Sequence, residues 1–162
     1  MTSRLRDHDG SAFLEMAVGA SMFLMLVFAL IEFGRFMLTY NTTSEATRLG
    51  ARLAAICTAG STDAAAHQRI RDKLAFWAKA GGYAIPAAAT NSWLTFSYFD
   101  ASGAACTTAA TCQTVQVATS GLSANLLIPG IPLTIALPTF PVRVVRETMN
   151  ASPNGTANPA CP

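Results

Sequence analysis

Residues 10–31 read GSAFLEMAVGASMFLMLVFALI, and this stretch decides how the rest of the chain is organised. From Ala12 to Ile31, twenty residues carry one charge, Glu15. A helix rises about 1.5 Å per residue, so the run spans roughly 30 Å, the thickness of a bilayer's hydrocarbon core. A cleavable secretory signal has a shorter apolar region, with small residues at a cleavage site on its far side. Here the run ends in Glu32-Phe33-Gly34-Arg35. It is therefore predicted to be a retained single-pass anchor.

Glu15 is the anomaly of the run, because a carboxylate in hydrocarbon costs about 3 kcal/mol on insertion scales. Two readings follow. Either the side chain snorkels to the headgroups and marks the helix start, or it serves a function. Gly10 bears on the choice, since a cut after it makes Ser11 the first residue and Glu15 the fifth.

A leader with Arg4 and Arg6, then Gly10, four residues, Glu15 and an apolar helix resembles the class III signal of type IV pilins and pseudopilins. That signal is cut by prepilin peptidase after the glycine. A second stretch is similar to a narrower family. Glu32-Phe33-Gly34-Arg35, followed by Ala46-Thr47-Arg48-Leu49-Gly50-Ala51-Arg52, resembles the E-F-G-R and A-x-R-x-G-A-R elements of TadE/TadG-type pseudopilins of tight-adherence pili. Met16 stands where that family often carries Phe or Tyr. The resemblance covers about residues 10 to 56.

It implies processing at Gly10 and Ser11, an assembly role for Glu15, and a family motif in Glu32, Phe33, Gly34, Arg35, Arg48, Gly50 and Arg52. The partners it implies are prepilin peptidase, other tight-adherence pilins and pseudopilins, an inner-membrane assembly platform and the lipid bilayer. The implied place is the bacterial inner membrane, with the N-terminus cytoplasmic and the C-terminal domain periplasmic, and with entry into the extracellular pilus left open.

The residues themselves bound the other classes. A 51% hydrophobic content with 12% charged fits membrane insertion. Eleven basic against nine acidic residues give +2, and removing residues 1–10 takes away two Arg and two Asp, leaving +2 again. Nucleic-acid binding needs a concentrated basic face, which this balance does not supply. The positive-inside rule counts Arg4 and Arg6 more than Asp7 and Asp9, which keeps the leader cytoplasmic.

Four cysteines, Cys57, Cys106, Cys112 and Cys161, all follow the anchor, which suits an oxidising compartment. Three pairings are open. Cys106 with Cys112 is the shortest closure and leaves Cys57 with Cys161. The competing zinc reading meets a five-residue gap in the close pair and no neighbouring histidine. No metal or cofactor is expected.

From Phe33 to Ala59 no proline interrupts the chain, and Phe36, Tyr40, Thr47, Ala51 and Ala54 recur at helical spacing. The anchor is predicted to continue as one helix, whose small-residue side either docks on the chain's own domain or forms a seam between subunits. A second helix is predicted from Ala64 to Ala80, capped by Ser61 or Thr62 with Asp63 in its first turn, and stopped by Gly81-Gly82. Ile70, Leu74, Trp77 and Ala78 form its apolar stripe. Arg69, Arg71, Lys73 and Lys79 form either a solvated face or an anionic-partner patch.

Between Gly81 and Val142 the only charge is Asp100. Alternation predicts strands at Trp93–Phe99 and Thr114–Ala118, paired as a hairpin, and at Leu133–Leu137 and Val142–Met149, with a Pro-Gly turn region at Leu126–Pro132. The expected fold is α+β and pilin-like, with three to four antiparallel strands. Its divisions are a cleaved leader (1–10), a transmembrane helix (11–32), a helix extension (33–60) and an extracytoplasmic domain (61–162).

An enzyme reading finds no G-x-S-x-G, no phosphate loop and no His-x-x-x-His, and neither His8 nor His67 has a partner set in the sequence. The expectation is a pilin-like structural or assembly protein that is not an enzyme. Alternatives are a bitopic binding or adhesion protein and, third, a membrane-tethered enzyme.

Overall fold

A computed structural model describes residues 7–58, 60–80, 93–128 and 131–161. Helix α1, Asp7–Cys57, runs unbroken for 51 residues, about 75 Å at the ordinary helical rise. It joins the apolar run and its extension in one rod. Every residue from 10 to 31 is exposed except Val27, which is half-buried. From Glu32 onward one side becomes covered, and Thr39, Thr43, Ala46, Thr47, Gly50, Ala51 and Ala54 are all buried. The side read as docking or seam thus packs on the chain's own domain.

Three threonines on that side are buried without losing a hydrogen bond. Thr39 Oγ1 donates to Arg35 O (2.9 Å), Thr43 Oγ1 to Thr39 O (2.9 Å) and Thr47 Oγ1 to Thr43 O (2.8 Å). A hydroxyl that bonds back one turn avoids the penalty of a buried, unpaired polar group. Gly50 lies deepest. A Cβ there would stand 3.0 Å from Leu74 Cδ1 and 3.3 Å from Leu94 Cδ2, so its lack of a side chain lets α1 approach the domain closely.

Helix α2 spans Ala64–Ala80 and buries Ile70 and Leu74 completely. Its cap is Asp63 rather than Ser61 or Thr62, because the Ala66 amide donates to Asp63 Oδ1 at 3.1 Å, the reach of an N-cap side chain to the third helical amide. The side chains of Trp77, Ala78 and Lys79, and the Gly81-Gly82 stop, lie outside the described residues.

Strands β1 (Leu94–Phe99) and β2 (Thr114–Thr119) form an antiparallel hairpin, from Leu94 opposite Thr119 to Phe99 opposite Thr114. Strands β3 (Ser123–Ile128) and β4 (Ile131–Ala136) form a separate two-stranded ribbon. Strand β5 (Val142–Val145) returns to the free side of β2, giving the order β1-β2-β5. The architecture is α+β.

Two boundaries differ from the sequence reading. Leu126–Pro132, expected to be a turn region, is strand up to Ile128 and again from Ile131, and residues 129–130 lie outside the described ones. Both strands of a two-stranded ribbon have a free edge, so Pro132 need not remove a ladder bond. The last strand stops at Val145 rather than Met149, because the chain leaves the sheet there to reach the end of α1. The core packs Leu94, Tyr98, Val115 and Val117 with Ile70, Leu74, Ala51, Ala54 and Trp93.

Candidate membrane-anchoring and assembly segment

The residues singled out for processing and assembly lie on the part of α1 that the domain leaves bare. Gly10, Ser11 and Glu15 are exposed, and a Cβ on Gly10 would meet nothing within 4 Å. Packing therefore does not require glycine at position 10. Ser11 and Glu15 are four residues apart and share one helix face. Among the described residues Glu15 has no ion-pair partner. On either side of it the helix exposes Phe13, Met22, Phe23, Met25, Phe28 and Leu30 in every direction, a surface that water does not tolerate and a bilayer does. By length and composition α1 can cross a membrane.

The Glu32-Phe33-Gly34-Arg35 element marks where covering begins. Arg35 Nη1 donates to Glu32 Oε1 at 2.6 Å, the arginine side chain half exposed and the glutamate side chain nearly covered. The i,i+3 pairing lets a carboxylate persist at the end of an apolar run. Phe33 is exposed, and nothing crowds Gly34. In the second element the roles divide. Gly50 faces the domain, while Arg48 and Arg52 are exposed, Arg48 pairing with Glu45 at 3.0 Å. Such an exposed pair contributes a few tenths of a kcal/mol.

At its far end α1 is fastened to the last part of the chain. The final carbonyls of a helix lack partners within it. Here Ala55 O accepts from the amides of Glu147 (3.2 Å) and Met149 (3.1 Å), and Ile56 O from the Asn150 amide (2.8 Å) and Thr148 Oγ1 (3.0 Å). Cys57 is joined to Cys161 and Cys106 to Cys112, leaving no free cysteine. Chain-entropy reasoning puts the first at about 4.7 kcal/mol and the second at about 2 kcal/mol.

Sequence reasoning missed a buried polar chain beside this end. Tyr98 Oη lies 2.7 Å from both Thr58 Oγ1 and His67 Nε2, and Thr58 Oγ1 also bonds Ala54 O at 2.7 Å. The His67 ring stacks on Phe96, centroids 4.5 Å apart. His67 is thus buried and partnered, where the sequence offered it no partner set. Its spacing with Ile70 and Leu74 was the available signal. Burial lowers its pKa, Arg71 lowers it further and Asp63 opposes them. Burial pushes the Tyr98 phenol well above its ordinary value. Arg71 also departs from the solvated face: its Nε donates to Leu94 O at 3.0 Å, and its guanidinium lies over Phe96. The described residues contain no cluster of three or more metal-binding side chains.

Compared with known families, residues 10–52 match the model of the TadE-like protein family. No curated protein and no solved structure matches the chain. The matched segment runs from the bare start of α1 through both motif elements to Arg52. What the chain shares with the TadE-like protein family is confined to residues 10–52.

Proposed function

We propose that this chain is a pilin-like subunit or assembly factor of a tight-adherence pilus, held in the inner membrane by α1 and cut by prepilin peptidase after Gly10. The role is structural rather than enzymatic. One observation carries the reading: the helix matched by the TadE-like family leaves residues 10–31 uncovered by its own domain, with Gly10 and Glu15 at its start. A bare apolar helix is what a bilayer, and later neighbouring helices, would cover. The peptidase would meet a glycine that no part of the fold obstructs. Two disulfides in the domain suit the oxidising side of the membrane, which leaves the leader in the cytoplasm and the domain in the periplasm. Other pilins and pseudopilins and the inner-membrane assembly platform would be its partners.

The test is the intact mass of the protein extracted from membranes of its own host. The expected mass is that of a chain beginning at Ser11. A retained Met1, in a host that has the peptidase, would overturn the processing reading.

A further inference from the structure

We infer that Asn154, in the turn near the end of the chain, is a site of self-modification: together with Gly155 it forms a cyclic imide, loses ammonia and becomes aspartate or isoaspartate. The inference stands apart from the membrane reading of α1. It begins with what holds the other side-chain amides. The described asparagines are Asn41, Asn125, Asn150, Asn154 and Asn158. Asn41 lies inside α1, where the amide that follows it is committed to the helix ladder. Asn125 lies in β3, its Oδ1 accepting from Thr134 Oγ1 at 2.9 Å. Asn150 Oδ1 accepts from the Ser152 amide at 2.9 Å and Asn158 Oδ1 from the Ala160 amide at 3.0 Å, the local turn that asparagine makes with the backbone two residues on. Asn158 also precedes Pro159, whose nitrogen carries no hydrogen.

Asn154 is held by none of these devices. Its side chain makes no hydrogen bond among the described residues, and residues 152 and 154–157 are all exposed. It stands at φ 57°, ψ 27°, in the left-handed region that asparagine tolerates but does not prefer. Turning the Gly155 nitrogen toward Asn154 Cγ therefore leaves an uncommon conformation instead of a favoured one. The bond that must open is a long one at the surface, from the Gly155 amide to Ser152 O at 3.2 Å. Nothing lies within 4 Å of where a Cβ on Gly155 would be, so the approach is unhindered.

The step needs only base and water. Base removes the proton of the Gly155 amide, and that nitrogen attacks Asn154 Cγ. The new N–Cγ bond closes a five-membered imide while the Cγ–Nδ2 bond breaks, and the leaving nitrogen takes up a proton and departs as ammonia. Water then opens the ring. Breaking N–Cγ gives aspartate, and breaking the original peptide bond gives isoaspartate, with the main chain rerouted through Cγ. Either product puts a carboxylate into residues 148–162, which carry no charged side chain. Isoaspartate also lengthens the main chain by one atom. It does so inside a loop whose ends are fixed on adjacent residues of α1, by the Asn150 amide on Ile56 O at 2.8 Å and by the Cys161–Cys57 disulfide. The mark is therefore permanent while the domain stays pinned.

The test ages the full, disulfide-bonded chain in detergent at physiological temperature over several days, at neutral and at mildly alkaline pH. Reduction and peptide mapping then follow the exchange of amide for acid. Asn150 and Asn158 lie on the same stretch and serve as internal controls. Asn154 is expected to convert at least tenfold faster than either, faster still at the higher pH, and more slowly in Gly155→Ala. A parallel sample, reduced and unfolded in denaturant, separates fold from sequence: unfolding should speed conversion at Asn150 severalfold and change that at Asn154 by less than twofold. If Asn154 in the folded chain converts no faster than Asn150, or if unfolding speeds the two alike, the turn protects Asn154 and the inference falls.

Discussion

His67 Nε2 and Tyr98 Oη lie 2.7 Å apart in the interior, joining α2 to the sheet, and Thr58 on the other side of the same hydroxyl adds the end of α1. This one phenol therefore ties three elements together. Its environment holds His67 neutral more strongly than water does, with Arg71 nearby reinforcing burial and Asp63 opposing it.

The sign of the pH effect follows. The folded state binds a proton at His67 less readily than the unfolded chain, whose histidine titrates near 6.5. Between the two values the unfolded state holds more protons, so stability rises with pH. The contribution is complete above about pH 6.5 and is lost as pH falls toward the folded value. The melting temperature is expected to begin dropping as pH falls below about 6.5, above the range where ordinary carboxylates protonate. His67→Gln should flatten that slope while retaining an amide for Tyr98. Equal slopes for the two proteins would show that His67 is not the source.

The connection between Cys57 and Cys161 closes the longest loop in the described chain, a separation of 104 residues. Cys57→Ser with Cys161→Ser is expected to cost several kcal/mol, against about 2 kcal/mol for the Cys106 and Cys112 pair. Hydrogen exchange distinguishes this from a general loss. The amides of Glu147, Met149 and Asn150, which bond Ala55 and Ile56, should lose protection first. Unchanged protection there would mean that the hydrogen bonds hold the tail without the covalent link.

The division of α1 into a bare and a docked part was legible in its composition, since Ala12–Ile31 holds one charge and the small residues follow. What sequence could not supply were pairings set by distant chain. Thr148 bonds a carbonyl 92 positions away, and no local pattern encodes that. The same holds for His67. Its spacing with Ile70 and Leu74 places it on the apolar stripe, but its partner Tyr98 lies 31 positions away, beyond any local pattern. Strand β3 was hidden because Pro129, Gly130 and Pro132 read as turn chemistry, which a ribbon with two free edges accommodates.

Three glycines separate packing from backbone geometry. Gly60 has φ +106°, and a Cβ would fall 2.3 Å from Thr107 O, a backbone atom that cannot turn aside. Gly60→Ala is expected to cost more than about 2 kcal/mol. Gly50→Ala meets only side-chain ends at 3.0 and 3.3 Å, so overpacking of about 1–3 kcal/mol is partly offset by a helix-propensity gain near 1 kcal/mol. Gly34→Ala meets nothing and should stabilise the helix by about 0.5–1 kcal/mol. Melting temperatures should rank Gly34→Ala above the parent, then Gly50→Ala, then Gly60→Ala. Any other order would count against this account of the docked half of α1.

Glu15 and Ser11 lie one turn apart on a face of α1 that is exposed among the described residues. Under the proposed processing, cleavage places a positive α-amine on Ser11 beside a carboxylate at the edge of hydrocarbon. Either ion alone in low dielectric is costly, and a close pair recovers part of that cost. A neighbouring subunit can offer its own Glu15 to that amine, so that packing of two bare helices neutralises both charges in one register. Glu15→Gln keeps the size of the side chain and removes the charge. It is expected to leave insertion and cleavage intact and to lower crosslinking with pilin-like partners severalfold. Gly10→Leu should insert but stay uncut, and because its amine remains ten residues away it should show the same loss of crosslinking with Glu15 present. If processed Glu15→Gln crosslinks as well as the parent, the carboxylate is simply solvated at the interface and the charge-pairing account fails.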